Sequence, residues 1–327
     1  MTHKQAITIG YIGLGIMGGS MSLNLLKAGF KVIINDVDRR IGERQLALGA
    51  VWADNASDLA AQCDVIFTCL PNLKVVEDVT IGPNSVLSGI RPGCALFEMS
   101  TNSRALINKI DAAFTERGAI ALDAPVSGGA LGAERGQMGI WVGGDRATYD
   151  RFEDVLRVMG DRPIHVGDIG AGLITKLVHN CASQATQAAI SEVFVLGVKA
   201  GAEPLSLWEA IRQGSIGRRR TFDGLVDEYL PAEYDPPHAA LRVIEKDLQL
   251  ATELGRELRV PMRISNLALA DVYEAMNRGW AERDCRSVML LPQERAGVSI
   301  KVSKERIEAV LQKDPAAPTD TKRGTAR

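Results

Sequence analysis

Short apolar runs alternate with segments of helical spacing through the first half of the chain. Ile7–Ile12, Val32–Asn35, Val65–Leu70, Ala95–Met99 and Ala119–Asp123 are strand-length runs. Between them, Ser20–Ala28, Arg39–Leu48 and Arg104–Arg117 carry helical periodicity. This alternation predicts an α/β domain with a parallel sheet covered by helices on both faces. The stretch "SGGALGAERGQ" reads as a glycine-rich loop that returns into a further strand at "MGIWVGGD". After Gly167–Gly172 the texture changes. From Leu173 to about Leu311 nearly everything has helical spacing, broken at Pro204, at "YLPAEYDPPH" and at Pro261. The pattern predicts a second, all-α domain whose first long helix runs from about Leu173 to Gly201. The end of the chain, "KDPAAPTDTKRGTAR", is rich in Pro, Thr and charge and has nothing to bury, so a disordered tail is expected over 314–327. The domain expectation is therefore 1–168 and 169–313, followed by that tail.

Composition narrows the class. A chain of 327 residues exceeds one typical core, which favours two domains. A formal net charge of −2 gives no general attraction to nucleic acid or to an anionic membrane. The apolar stretch Ala182–Ala202 contains Glu192 and Lys199 and reads as a buried helix, not a membrane span. The N-terminus is short and polar without a signal-peptide core, so a cytoplasmic location is expected. Five scattered cysteines form no C-x-x-C pair and only four histidines could join them. Reduced thiols are expected, with no structural metal or disulfide framework.

Three motifs carry chemistry. Gly13, Gly15 and Gly18 form G-x-G-x-x-G between a strand and a helix, enclosing Leu14, Ile16 and Met17. The first glycine permits the tight turn, the second lets a pyrophosphate approach the backbone, and the third permits close helix–strand packing. Asp36 follows Gly13 by 23 residues at the end of the second strand, where a carboxylate binds a ribose 2′-hydroxyl. That carboxylate would repel a 2′-phosphate, so NAD is favoured, with NADP left open by Arg39 and Arg40. In "DAPVSGGALGAERGQMGIWVGG", Ser127, Gly128 and Gly129 offer a hydroxyl and unhindered backbone N–H groups just past a strand end. That is a seat for a carboxylate or, equally, a flexible turn. In "GAGLITKLVHNC", Lys176 and Asn180 are four apart and share one helix face. A lysine there can exchange a proton with a substrate oxygen; on spacing alone it reads first as a surface lysine that happens to precede an asparagine.

In order and combination these motifs resemble the β-hydroxyacid dehydrogenases, the family of 3-hydroxyisobutyrate dehydrogenase and tartronate semialdehyde reductase. "GYIGLGIMGGSMSLNLLKAG" is similar to the family's cofactor signature, "DAPVSGGALGAERGQMGIWVGG" to its substrate loop, and "GAGLITKLVHN" to its catalytic helix. "EKDLQLA" is similar to a fourth block, in which a lysine, here Lys246, lies beside the nicotinamide. The resemblance covers about residues 7 to 297. It implies a Rossmann-type N-terminal domain, an all-helical domain for substrate and subunit contacts, and a homodimer or homotetramer. It further implies Lys176 as acid/base and Asn180 as a positioner, with the substrate carboxylate on Ser127, Gly128 and Gly129. "CLPN" and "EMST" match loops flanking the cofactor, with Leu70, Pro71 and Thr101 as contacts.

The expected activity is hydride transfer between a small β-hydroxy acid, or its semialdehyde, and a nicotinamide cofactor. Two rivals remain: a reductase of imines or of non-acid aldehydes on the same scaffold, and a non-catalytic nucleotide-binding module. Trp141 stands where relatives usually have a smaller apolar residue and reads equally as packing. His179 beside Asn180 is unusual and reads first as a satisfied helix histidine. Arg218, Arg219 and Arg220 lie in a segment that in relatives is near the active-site cleft, where one of them could bind a second anionic group of a substrate; a solvated basic loop or a subunit contact is an at least equal reading.

Overall fold

The computed structural model describes residues 7–199, 201–213, 224–257 and 262–313. The expectations for Arg218–Arg220, for Pro261 and for the 314–327 tail fall outside the described residues. The chain divides into two compact units, Met1–His179 and Asn180–Arg327.

The first unit is built on a nine-stranded sheet. Its strands are β1 (Thr8–Ile12), β2 (Lys31–Asn35), β3 (Val51–Trp52), β4 (Val65–Thr68), β5 (Ala95–Glu98), β6 (Ile120–Asp123), β7 (Val126–Ser127), β8 (Gly139–Gly143) and β9 (Arg162–Gly167). Their order is β3-β2-β1-β4-β5-β6-β8-β7, with β9 pairing β8. Strands β1 to β6 are mutually parallel, while β8 runs antiparallel to β6 and β7. The chain leaves β1 in one direction to β2 and β3, then crosses back to β4 on the other side of β1. Such a reversal opens a crevice at the carboxyl ends of the strands, where ligands of open α/β sheets bind.

The parallel strands are apolar throughout because both faces are covered. Val65, Ile66, Phe67, Ala95, Leu96 and Phe97 are fully buried. One row of register partners, Tyr11, Phe67 and Phe97, stacks across three strands at 6.1 and 5.3 Å between ring centroids. Phe152, from the helix Arg146–Met159, closes the row edge-on at 6.0 Å. Helices enter where side chains cap them. Asn72 accepts the Val75 N–H (3.0 Å), Ser103 that of Leu106 (3.2 Å) and Asp145 that of Thr148 (2.7 Å).

Local differences from the sequence reading have physical causes. The stretch expected as one helix over Arg39–Leu48 is a 3₁₀ turn, Arg39–Gly42, followed by a short helix, Glu43–Ala47. The Asp38 carboxylate accepts the Arg40 N–H, which starts the tight turn. Part of the glycine-rich stretch expected as a loop is helical, Gly129–Arg135, ended by Gly136 in the left-handed region at φ +67°.

In the second unit the expected helices are present, including Pro204–Gln213, Leu241–Glu257, Arg263–Asn277 and Lys304–Lys313. Pro204 breaks one helix by starting the next, at the first position where its missing N–H costs nothing. The unit packs around Phe194, Trp208, Tyr229 and Leu248, all fully buried. The long helix, Ala171–Lys199, contains the division between the units.

Candidate active site

The cofactor signature closes on itself as a turn. Gly13 has φ +92°, and a Cβ there would stand 2.3 Å from the Cys69 carbonyl oxygen. Only glycine satisfies both demands. A Cβ on Gly18 would stand 2.0 Å from the Gly13 carbonyl oxygen, so the helix Ile16–Lys27 packs hard against the turn. At Gly15 the same test meets nothing within 4 Å. Gly15 is exposed, precedes the helix and offers no side-chain cap, so the first N–H groups of the helix face an open approach. Those features fit a pyrophosphate.

Asp36, half-buried just past β2, accepts the Leu14 N–H at 2.7 Å through Oδ2 and the Asp38 N–H at 3.2 Å through Oδ1. It therefore shapes the turn as well as presenting a carboxylate beside it. Arg40 is committed to Asp38 (Nη2–Oδ2, 2.7 Å), and that pair holds the Asp38 carboxyl down at about 2. The Arg39 guanidinium lies over the Trp52 ring at 5.4 Å from its centroid.

The loops after β4 and β5 join this turn. The Leu70 N–H donates to Ser100 Oγ at 2.8 Å, which ties Cys69–Asn72 to the Glu98–Thr101 segment. Pro71 is exposed beside Leu70, and Thr101 is half-buried. Beneath them sits Glu98, which is 1% exposed. Its carboxylate accepts the Ser100 N–H (3.0 Å), the Asn102 amide (3.1 Å) and the Thr68 hydroxyl (3.4 Å). Burial raises its pKa to about 7, against the lowering effect of the Ser100 and Asn102 hydrogen bonds.

Asp123 pairs in register with Glu98 on the next strand and has a structural task of its own. It accepts the Gly170 N–H and the Leu173 N–H, each at 2.6 Å, and so ties the end of β6 to the start of the long helix. Burial raises its pKa, and the bonds from Leu173 and Gly170 work against that rise. The glycines of "GAG" are explained by the same junction. Gly170 has φ +90°, and a Cβ on Gly172 would stand 2.3 Å from the Trp141 carbonyl oxygen. Lys176 follows in the next turn of the helix and is half-buried.

Past the end of β6, Ser127 is half-buried while Gly128 and Gly129 are exposed. Gly128 (φ +147°) and Gly129 (φ +64°) adopt backbone conformations that side chains disfavour, and a Cβ on Gly129 would meet nothing within 4 Å. The approach to Gly129 is uncrowded, while the Gly128 carbonyl oxygen accepts the Gly132 N–H at 3.1 Å.

In the second unit, Asn180 and Lys246 converge on one residue. The Asn180 amide donates to Asp247 Oδ2, and Lys246 Nζ lies 3.4 Å from Asp247 Oδ1. The Asp247 side chain is 4% exposed, so its charge is held by these two neighbours. Sequence reasoning did not single out Asp247. Its signal was its place beside Lys246, on the inward side of the helix Leu241–Glu257.

The chain is similar to several known proteins over most of its length. Residues 8–167 match the NAD binding domain of 6-phosphogluconate dehydrogenase, and residues 170–291 match the NAD-binding domain of NADP-dependent 3-hydroxyisobutyrate dehydrogenase. A 2-(hydroxymethyl)glutarate dehydrogenase from Eubacterium barkeri is 36% identical over 91% of this chain and 98% of its own length. An NAD-dependent L-serine dehydrogenase from Pseudomonas aeruginosa is 34% identical over 86% of this chain and 97% of its own. The structure of Mycobacterium tuberculosis 3-hydroxyisobutyrate dehydrogenase with L-serine superposes with a TM-score of 0.78, at 30% identity, over 87% of this chain and 98% of that one.

Proposed function

We propose that this chain, which belongs to the β-hydroxyacid dehydrogenase family, moves a hydride between a small β-hydroxy acid and a nicotinamide cofactor with Lys176 as acid/base. Membership makes it a nicotinamide-dependent oxidoreductase of small hydroxy acids or their semialdehydes; the residue roles are the proposal. The observation that carries them is the Asp123 anchor, which starts the Lys176 helix at the sheet edge that also bears the glycine turn and the Ser127–Gly129 loop.

In this reading Gly13, Leu14, Gly15, Ile16, Met17 and Gly18 hold the pyrophosphate, and Asp36 holds the adenosine ribose. Leu70, Pro71 and Thr101 flank the cofactor, and Lys246 lies toward its nicotinamide end. Bound nicotinamide supplies the hydride acceptor or donor. Ser127, Gly128 and Gly129 hold the substrate carboxylate, and Asn180, oriented by Asp247, positions the carbinol. Lys176 takes the hydroxyl proton on oxidation and returns it on reduction, and its charge stabilises the developing alkoxide. The substrates in the relatives' names, 3-hydroxyisobutyrate, L-serine and 2-(hydroxymethyl)glutarate, share a hydroxymethyl group on the carbon that bears a carboxyl, which supports a β-hydroxy acid here. NAD is the proposed cofactor. Asp36 disfavours a 2′-phosphate, Arg40 is engaged by Asp38, and Arg39 lies over Trp52. A homo-oligomer is proposed with it.

Replacing Lys176 with Ala tests the central role. The expected result is a fall in kcat of about 10²–10⁴-fold, with NAD affinity little changed. Lys176→Arg should not rescue, because a guanidinium keeps its proton at neutral pH. Near-normal turnover by Lys176→Ala, measured alongside NAD binding, would remove the acid/base role.

A further inference from the structure

The loops after β4 and β5 meet through one buried carboxylate, Glu98. The Leu70 N–H donates to Ser100 Oγ at 2.8 Å. Ser100 passes the link on, since its side chain hydrogen-bonds Glu98 and its N–H donates to Glu98 Oε1 at 3.0 Å. The Thr68 hydroxyl, on the last residue of β4, reaches the same oxygen at 3.4 Å. Asn102 Nδ2 donates to Oε2 at 3.1 Å. The Asn102 amide is oriented from its other end, because its Oδ1 accepts the Ser103 N–H at 2.7 Å. Ser103 in turn caps the helix Arg104–Glu116 by accepting the Leu106 N–H. Glu98 thus accepts bonds that reach Leu70 in one loop and Asn102 in the other.

A carboxylate can accept all of these bonds, and a carboxylic acid cannot. A proton on Oε2 would face the Asn102 amide, a donor held in place by Ser103, and would displace it. A proton on Oε1 would compete with the Ser100 N–H and oblige the Thr68 or Ser100 hydroxyl to turn. Either position loosens one of the two loops. Burial is the largest influence on the carboxyl and raises its pKa. The Ser100 and Asn102 bonds lower it, and the charge of Asp123, the register partner on β6, raises it again. The balance falls at about 7, so both forms are populated near neutral pH.

We propose that Glu98 is a positioning residue for the nicotinamide cofactor: its carboxylate form holds both loops in the shape that takes the cofactor, and its acid form releases them. This rests on the reading that Leu70, Pro71 and Thr101 flank the cofactor. The consequence follows from linkage. A cofactor that prefers the carboxylate form expels the proton on binding, so its affinity rises with pH through about 7.

The test is calorimetric titration of NADH, and separately of NADPH, into the wild-type protein from about pH 5.5 to 8. For the tighter of the two, affinity should rise about five- to tenfold across that range. Near pH 6.5, binding should release about half a proton, read from the dependence of the heat on the buffer's ionisation enthalpy. Glu98→Gln keeps the size and loses the charge, so it should flatten the profile and abolish the release. A merely structural role would weaken binding by one factor at every pH and leave the release intact. Asn102→Ala removes one donor to the carboxylate and should move the midpoint up by about half a pH unit or more. It decides the matter even where Glu98→Gln fails to fold. A pH-independent wild type, a release that persists in Glu98→Gln, or an unmoved Asn102→Ala midpoint overturns the proposal. Thr101→Ala at pH 8 reports on the underlying reading. Unchanged affinity there would mean that the loop after β5 does not flank the cofactor, and the proposal would fall with that reading. Weakened affinity together with a pH-independent wild type would overturn the role of Glu98 alone.

Discussion

At the scale of the residue, single carboxylates carry more than one duty. Asp36 is expected to select NAD over NADP by about tenfold or more in kcat/KM, about 1.4 kcal/mol. Because it also accepts the Leu14 N–H, Asp36→Ala would loosen the turn itself. Asp36→Asn retains an acceptor and removes only the charge, so it should narrow the preference while keeping most NAD affinity. Wild-type preference for NADP in steady-state kinetics would overturn the assignment. Glu98 gives a pH dependence. Its pKa is about 7 in the folded chain against an ordinary 4.5, so the native state holds the extra proton between those values. Stability from this group is therefore full below about pH 4.5 and is lost as pH rises through about 7. Glu98→Gln should flatten the decline in thermal midpoint from pH 5.5 to 8; an unchanged slope would mean that Glu98 is not the group responsible. Asp247 marks the limit of residue-level reading. Its hydrogen bond to Asn180 spans 67 positions of sequence, and no local pattern announces such a pairing.

At the scale of the element, the start of the long helix is the critical joint. A Cβ on Gly172 would press on the Trp141 carbonyl oxygen at 2.3 Å and on the Asp123 carbonyl oxygen at 2.8 Å, and backbone does not yield easily. Gly172→Ala should therefore destabilise the protein by about 1–3 kcal/mol, as overpacking does. It should also shift the Lys176 turn, lowering kcat by about tenfold to a hundredfold, while NAD affinity, set at the glycine turn, stays close to normal. Unfolding curves and turnover on the same preparation check this; unchanged values for both would mean that the joint tolerates a methyl. Much of the element plan was legible in sequence, because buried parallel strands leave unmistakable apolar runs, such as Val65–Leu70. Arg162–Gly167 was not legible. It holds Pro163 and His165 in no alternating pattern, and it is extended because it pairs with β8, a non-local cause. Gly129–Arg135 was hidden by the opposite effect, since its glycines signal a loop although the segment closes a helical turn.

At the scale of the whole molecule, exposed apolar side chains in both units have a regularity that solvation does not explain. Ile174 and Val178 are one turn apart on the long helix and are 37% and 62% exposed. Ile264 and Leu267, 52% and 65% exposed, share a face of the helix Arg263–Asn277. Single exposed apolar residues are ordinary, but pairs at helical spacing on two helices are what a second subunit would cover. The expected state is therefore a homodimer or homotetramer, measured by light scattering across micromolar concentrations. Leu267→Glu supplies the sharper arm. At a solvated site this change should alter stability by no more than about 0.5 kcal/mol and leave the mass unchanged. Within a subunit interface it buries an unpaired charge and should shift the mass toward the monomer, with the far-ultraviolet circular dichroism retained. A wild-type monomer at all concentrations would end the oligomer reading, whereas an oligomer that Leu267→Glu leaves intact would move the contact away from this helix face.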